Sequence, residues 1–320
     1  MAEPCPLCGT PAGPPLRTWA EYSLHDCAAC GFGFSSPFKN PGAEYYARLE
    51  EMYPHESQSA TDPMSEEYDA CLDYLAREGG GAGKRLLDVG CGGGGFLKRA
   101  RDAGFAISGI DYNGERLAAV RAELGADVFT GSVEDFARAR PDERFDVITI
   151  FEVVEHLDQP GRWLDVIHGL LKPGGLFFIG LPNKERTFDP FTGPVMEWID
   201  NPPHHLSRWT APVLRRFVES HAFRVLDCRP LGVPRQLYAL LLRKRLQFGL
   251  ATRTLKVDQL AHAPAAASAD ARSRLVLGLV AVKEALINAA AWATYPFFRA
   301  ACAVFGWQGV ILLCVSRKPE

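Results

Sequence analysis

Two pairs of cysteines open the chain. Cys5-x-x-Cys8 and Cys27-x-x-Cys30 are each followed by a glycine, Gly9 and Gly31, and 18 residues separate the pairs. Four thiolates at this spacing close a tetrahedral Zn²⁺ site of the ribbon or knuckle kind. Because protein atoms fill all four positions, such an ion is structural and not catalytic. An iron site or unliganded packing cysteines are the competing readings. Cys71, Cys91, Cys228, Cys302 and Cys314 show no ligand spacing and read as packing residues.

The second chemical segment is Leu86-Leu87-Asp88-Val89-Gly90-Cys91-Gly92-Gly93-Gly94-Gly95-Phe96-Leu97, a strand, a glycine loop and a helix start. Glycines here let the backbone turn through positive φ and approach a ligand closely. Gly90-x-Gly92-x-x-Gly95 fits the dinucleotide fingerprint, and Asp111 ends the next strand, where a carboxylate holds ribose hydroxyls. A nicotinamide enzyme is therefore one reading. Asp88 argues for another, since a carboxylate two residues before the first glycine faces the place of a pyrophosphate and repels it. It suits a ligand that is cationic there, and S-adenosylmethionine, with a sulfonium and an amino group and no phosphate, is such a ligand.

Asp-x-Gly-x-Gly-x-Gly resembles motif I of the class I S-adenosylmethionine-dependent methyltransferases. Gly109-Ile110-Asp111-Tyr112-Asn113 extends the match, as do Gly131-Ser132-Val133-Glu134-Asp135-Phe136, the run Phe145–Leu157 and Leu171-Lys172-Pro173-Gly174-Gly175. The resemblance covers residues 84–230. It implies cofactor contacts at Asp88, Gly90, Cys91, Gly92, Asp111, Tyr112, Ser132, Val133 and Phe151, with Ser132 standing where the family's adenine-contact loop usually has Asp. An N-terminal zinc module joined to such a core resembles bacterial methyltransferases of sugars and glycans, which act on carbon or oxygen. Those sugar enzymes carry a further large C-terminal domain.

Methyl transfer is an in-line displacement, and a sugar hydroxyl or carbon acid needs a base where an amine or thiolate does not. Pro202-Pro203-His204-His205-Leu206-Ser207-Arg208-Trp209-Thr210 follows the fifth core strand, on the edge where ligands bind. It resembles the acid-His-Leu-Ser/Thr-aromatic-aromatic pattern of sugar C-methyltransferases. His205 then matches their acceptor-facing histidine, with His204 in place of the acid and Arg208 in place of an aromatic. The same histidine also serves as a loop tie in such enzymes. Glu152-x-x-Glu155-His156 is similar to a segment of ubiquinone-pathway O-methyltransferases associated with a divalent cation. If it begins a helical turn its three side chains share a face; shaping the pocket or capping the loop is the competing role. Candidate catalytic residues are thus His205, His204 and Glu152. Tyr45, Tyr46, Tyr53, His156 and Arg208 are candidate acceptor contacts, the tyrosines alternatively packing residues.

The elements that must position these residues alternate. From Arg85 to about Arg229, strands are expected at Arg85–Val89, Ala106–Ile110, Asp127–Thr130, Phe145–Phe151, Leu176–Gly180 and Arg224–Cys228, with helices between them. That order gives an α/β fold with a mostly parallel sheet and helices on both faces, Rossmann-like by the resemblance. The organisation reads as a zinc ribbon over 1–40, a helical acceptor lid and linker over 41–83, a methyltransferase core over 84–231, a helical insertion over 232–306 and a last strand within 307–320. The last apolar run, Val310–Val315, reads as one more strand; if it pairs with Arg224–Cys228, everything between about Leu231 and Phe305 is a helical insertion.

Composition narrows the class. Hydrophobic residues make up 47% and charged residues 23% of 320, enough for a large core. A formal net charge of −3 argues against nucleic acid as a partner, and the cysteine spacing suits a reducing cytoplasm. The N-terminus has neither the basic nor the apolar region of a signal peptide. The insertion stands apart. Arg235, Arg243, Lys244, Arg245, Arg253 and Lys256 face no acidic residue between Gly232 and Lys256, and an apolar stretch over 275–305 follows an Ala-rich linker. No run reaches the roughly 20 apolar residues of a bilayer span. The insertion is either a lid on the sheet or a contact with the inner membrane face and a lipid-linked acceptor. The expected function is methylation of a small-molecule acceptor, most simply a sugar or glycan precursor. An NAD-linked sugar oxidoreductase or epimerase and a non-catalytic zinc-bearing scaffold are the alternatives.

Overall fold

The computed structural model describes residues 3–19, 21–42, 44–46, 65–187, 200–233, 235, 238–239, 242 and 271–320, without the side chains of 65 and 271–284. Tyr53, Arg243, Lys244, Arg245, Arg253 and Lys256 lie outside the described residues. The chain divides into two compact units, Met1–Leu231 with Gln308–Glu320, and Gly232–Trp307.

In the first unit, seven strands form one sheet: β4 Arg85–Val89, β5 Ala106–Asp111, β6 Asp127–Thr130, β7 Phe145–Phe151, β8 Leu171–Pro182, β10 Arg224–Pro230 and β11 Ile311–Arg317. Their order is β10-β11-β8-β7-β4-β5-β6. Pairs among β4 to β8 are parallel, while β11 runs antiparallel to both β8 and β10. The switch point falls at β4, whose two neighbours lead away in opposite directions. Its sequence Arg-Leu-Leu-Asp-Val is buried from the second residue on, as a strand covered on both faces requires.

Helices cover both faces. Cys71 and Leu75 of α1 (Ser65–Arg77), with α2 (Gly95–Asp102) and α3 (Gly114–Leu124), pack on Leu86, Val147 and Phe178. On the other face, α4 (Val133–Ala139), α5 (Pro160–Leu170) and α6 (Ala211–Ser220) pack on Leu87, Ile148 and Phe177. The two sets alternate along each strand, as the two-residue period of a pleated strand dictates. Asn113 caps α3 by accepting from the Arg116 amide at 3.0 Å, and Gly125 ends it in the left-handed conformation.

The N-terminal residues form their own small sheet, β1 Arg17–Thr18, β2 Ser23–Asp26 and β3 Gly33–Ser36, completed by β9 Ser207–Arg208 from the core. Phe32 and Phe34 join the same apolar cluster as α5 and α6. Phe32 meets the buried Trp209 edge-on at 4.7 Å, and Lys184 pairs with Asp26 at 2.7 Å.

Two expectations need correction. The core strand expected at Leu176–Gly180 begins earlier, at Leu171, and so takes in the Leu171–Gly175 motif. Phe145 pairs with Leu171 and Val147 with Leu176, so the intervening residues swing out. They remain paired because Gly174 donates to the Lys318 carbonyl and Lys318 to that of Gly175, extending the ladder past β11. Glu152, Glu155 and His156 do not share a helical face. The 3₁₀ turn contains only Val154–His156, and Glu152 precedes it with φ of 55°.

Candidate active site

The cofactor half of the site grows from the end of β4. Asp88 is 3% exposed and accepts a 2.7 Å hydrogen bond from the Thr149 hydroxyl on β7. Burial pushes its pKa up to about 7; the Thr149 bond opposes this and Asp111 adds to it. The loop then turns through Gly90, Gly92 and Gly94, all at positive φ. A methyl on Gly90 would overlap Cγ2 of Val153, so glycine is required there twice over, by conformation and by space. Gly90 and Cys91 donate to the Ile110 carbonyl at 2.8 and 3.0 Å, tying the loop to β5.

Asp111 ends β5 with both oxygens held, one by the Gly92 amide and one by the Asn113 amide, each at 2.9 Å. Two backbone amides fix it, and each oxygen keeps a lone pair that can accept a further hydrogen bond. Tyr112 beside it is 74% exposed, while Val133 and Phe151 are buried. The Ser132 hydroxyl accepts from the Asp135 amide and donates to the Asp135 carboxylate in a capping box for α4. That commitment explains why serine stands here, and it draws the hydroxyl toward the helix.

The residues expected to face the acceptor include a cluster of imidazoles. His204 and His205 follow the turn after Asp200, and β9 pairing pins them: Ser35 donates to Leu206, and Leu206 to the Glu155 carbonyl, both at 2.8 Å. His205 stacks on His204 at 5.0 Å, and His156 lies edge-on to both at 4.7 and 4.9 Å. His156 Nδ1 sits 2.6 Å from the His204 carbonyl and so donates there, leaving Nε2 as the basic nitrogen. His205 Nδ1 faces Asp200 Oδ1 at 3.4 Å. Its Nε2 and that of His156 each stand 3.8 Å from Oε1 of Glu155.

Charge in this cluster is set by burial and by two arginines. Burial disfavours the Asp200 anion, but His205, Arg186 and Arg208 outweigh it and hold the carboxyl well below its ordinary range. Arg186 grips it through two nitrogens at 3.3 and 2.5 Å. Burial lowers the pKa of His205, with Asp200 opposing, and lowers that of His204 to about 3. The imidazoles are therefore neutral near pH 7. Glu155 is 1% exposed, and burial with Glu152 nearby drives its pKa well up.

The expected acceptor contacts divide. Tyr45 and Tyr46 reach the cluster, 6.2 and 6.1 Å from His204, and Tyr46 is 5.7 Å from His156. Arg208 faces inward and donates to Asp200 and Asn201 at 2.8 and 2.7 Å, a tie for the loop. Sequence reasoning missed Asp200 and Arg186. The carboxylate partner of His205 lies five residues upstream instead of adjacent, a signal available only as an unplaced acid before the histidines.

The four N-terminal sulfurs lie within 4.8 Å of one another, Cys5 to Cys30 at 3.7 Å and Cys8 to Cys27 at 3.5 Å. Two thiolates about 2.3 Å from one tetrahedral ion stand about 3.8 Å apart, so the donor set fits zinc. Gly9 and Gly31, both at positive φ, turn back to donate to the Cys5 and Cys27 carbonyls.

Residues 63–227 match the family described as a methyltransferase domain, and the chain belongs to it. The nicotinamide reading of the glycine loop falls with that match. The chain is similar to the ubiquinone biosynthesis O-methyltransferase of Aromatoleum aromaticum, 34% identical over 134 residues, 40% of this chain and 57% of the relative. It is similar also to that of Thiobacillus denitrificans, 39% over 108 residues, 32% of this chain and 46% of the relative. The chain thus spans about half the length of the curated relatives it matches. Phosphoethanolamine N-methyltransferase 2 of Haemonchus contortus shares the fold, with a TM-score of 0.51, 14% identity, and coverage of 88% of this chain and 61% of that one.

Proposed function

We propose that this chain transfers a methyl group from S-adenosylmethionine to a small-molecule acceptor, a hydroxyl or acidic carbon of a sugar or glycan precursor. The observation that carries the donor is the buried Asp88 under a positive-φ glycine loop, beside an Asp111 held by two backbone amides. When bound, the donor supplies a sulfonium whose methyl carbon is open to in-line attack. The protein's part is to seat that sulfonium near Asp88 and to receive the acceptor's proton.

His205 is suited to the proton. Asp200 keeps its Nδ1–H oriented, so Nε2 offers a lone pair in a buried, neutral ring. The acceptor proton passes to Nε2, the acceptor's electron pair forms the new bond to the methyl carbon, and the pair of the broken C–S bond stays on sulfur. An imidazole base supports an oxygen or carbon acceptor over an amine, which needs none. The relatives' names, O-methyltransferases, support oxygen. Tyr45 and Tyr46 form the acceptor's aromatic wall, and the Cys5, Cys8, Cys27 and Cys30 site holds a structural Zn²⁺.

A second reading of the same cluster is a divalent cation. The ligand atoms of His156, His204 and His205 lie within 4.8 Å of one another, with Glu155 alongside. Such an ion would orient the acceptor oxygen and acidify its hydroxyl. Calorimetry and turnover test these readings together. S-adenosylhomocysteine binding without NADH binding is expected, as is methyl transfer to a sugar panel that survives EDTA treatment mild enough to leave the cysteine-held zinc bound. NADH binding alone refutes the function, turnover lost on chelation that leaves the cysteine-held zinc in place and restored by Mg²⁺ favours the cation, and donor binding without turnover on any acceptor favours the scaffold.

A further inference from the structure

The second unit carries a 35-residue helix, α7, Ala271–Phe305. On it Leu286, Phe297 and Val304 are 66%, 78% and 77% exposed. At about 100° per residue, their spacing returns all three to within about 20° of one azimuth. Ala290, Ala293 and Ala300 fall along the same line and are exposed. The stripe is free of polar side chains over about 27 Å. Ile287 and Ala291 are buried on another face, so the helix is apolar on two sides, a pattern that water does not stabilise. Trp292, 66% exposed, carries the Arg235 guanidinium 3.4 Å over its ring, a paired aromatic and cation of the kind that sits among headgroups.

Charge names the occupant. Gly232–Trp307 contains ten Lys and Arg against three Asp and Glu, a net of +7. Since the whole chain stands at −3, the remainder stands at −10. A basic unit with an exposed apolar stripe on an otherwise acidic protein matches an anionic lipid surface, and no described helix is long and apolar enough to cross one.

We infer that Gly232–Trp307 docks on anionic membrane surfaces, with the Leu286–Phe297–Val304 stripe at the acyl boundary and the unit's net positive charge drawing it to the headgroups. The helix lies along the surface and does not span it. The inference stands apart from the methyl-transfer reading, because vesicle binding requires no turnover.

The full chain is sedimented with vesicles of phosphatidylcholine alone and of phosphatidylcholine mixed with phosphatidylglycerol. Binding to the mixed vesicles only, weakened by added salt, is expected. Replacing Arg243, Lys244 and Arg245 together by Gln is expected to weaken it roughly a hundredfold, about fivefold per charge. The double variant Phe297→Ser, Val304→Ser removes apolar area at the boundary and is expected to weaken it roughly tenfold or more. Retained S-adenosylhomocysteine binding in both variants shows that the fold survives. Absence of sedimentation with mixed vesicles overturns the inference. So does binding unaffected by the stripe variant, or a dimer in light scattering that this variant converts to monomer without any vesicle affinity.

Discussion

Lowering the pH should loosen the donor, and Asp88 sets by how much. Burial pushes its pKa up to about 7 in the free protein, and a sulfonium nearby favours its anion, so the complex keeps it ionised to lower pH. The free protein binds the proton and the complex releases it, so affinity rises as pH rises toward 7. With a free pKa of about 7, the ionised fraction grows from about 3% at pH 5.5 to about half at pH 7.0, making binding about 16-fold tighter, or about 1.6 kcal/mol. That window lies below the titration of the ligand's own amino group, near 7.7–8.0. Calorimetry of S-adenosylmethionine in buffers of different ionisation enthalpy measures both the affinity and the proton released. Asp88→Asn should flatten the profile and weaken binding at pH 7. A wild-type affinity constant from pH 5.5 to 7.0, with no proton release, refutes the assignment of Asp88 to the cation.

His205→Asn should lower kcat by roughly 10² to 10⁴ while leaving S-adenosylhomocysteine affinity within about twofold, read by methyl-transfer assay and calorimetry. Asp200→Asn should cost about 3–5 kcal/mol in urea unfolding, because Arg186 and Arg208 lose the buried charge they share. Cys27→Ser should abolish bound zinc by mass spectrometry and lower Tm. Gly90→Ala should destabilise by about 2–4 kcal/mol, part from positive φ and part from overlap with Val153, and adding Val153→Ala should recover only the second part.

The strands were legible because a sheet covered on both faces demands short apolar runs, and Leu86–Val89 or Phe145–Phe151 have few other uses. The glycine loop was legible because positive φ and close approach restrict the residue type at Gly90 and Gly92. The closing strand was legible only as an apolar run at Val310–Val315; its antiparallel direction and its place between β8 and β10 came from long-range pairing. Long-range pairing set the remainder. Ser207–Arg208 becomes a strand only because Gly33 and Phe34 lie beside it, and Asp200 meets His205 only once Arg186 and Arg208 have drawn the loop in. Nothing local in Glu152-x-x-Glu155-His156 signalled that Glu152 would take a left-handed conformation and leave the turn.

The small sheet borrows its fourth strand from the segment that carries both adjacent histidines. If the four cysteines hold their ion and His205 takes the acceptor's proton as proposed, the knuckles and that histidine are one mechanical part, while the expected donor crevice rests on strands that the knuckles never touch in the ladder. Stripping the thiolates of their ion should blind the enzyme to what it methylates and leave its grip on the methyl source nearly intact, so metal supply would act as a throttle on one substrate alone.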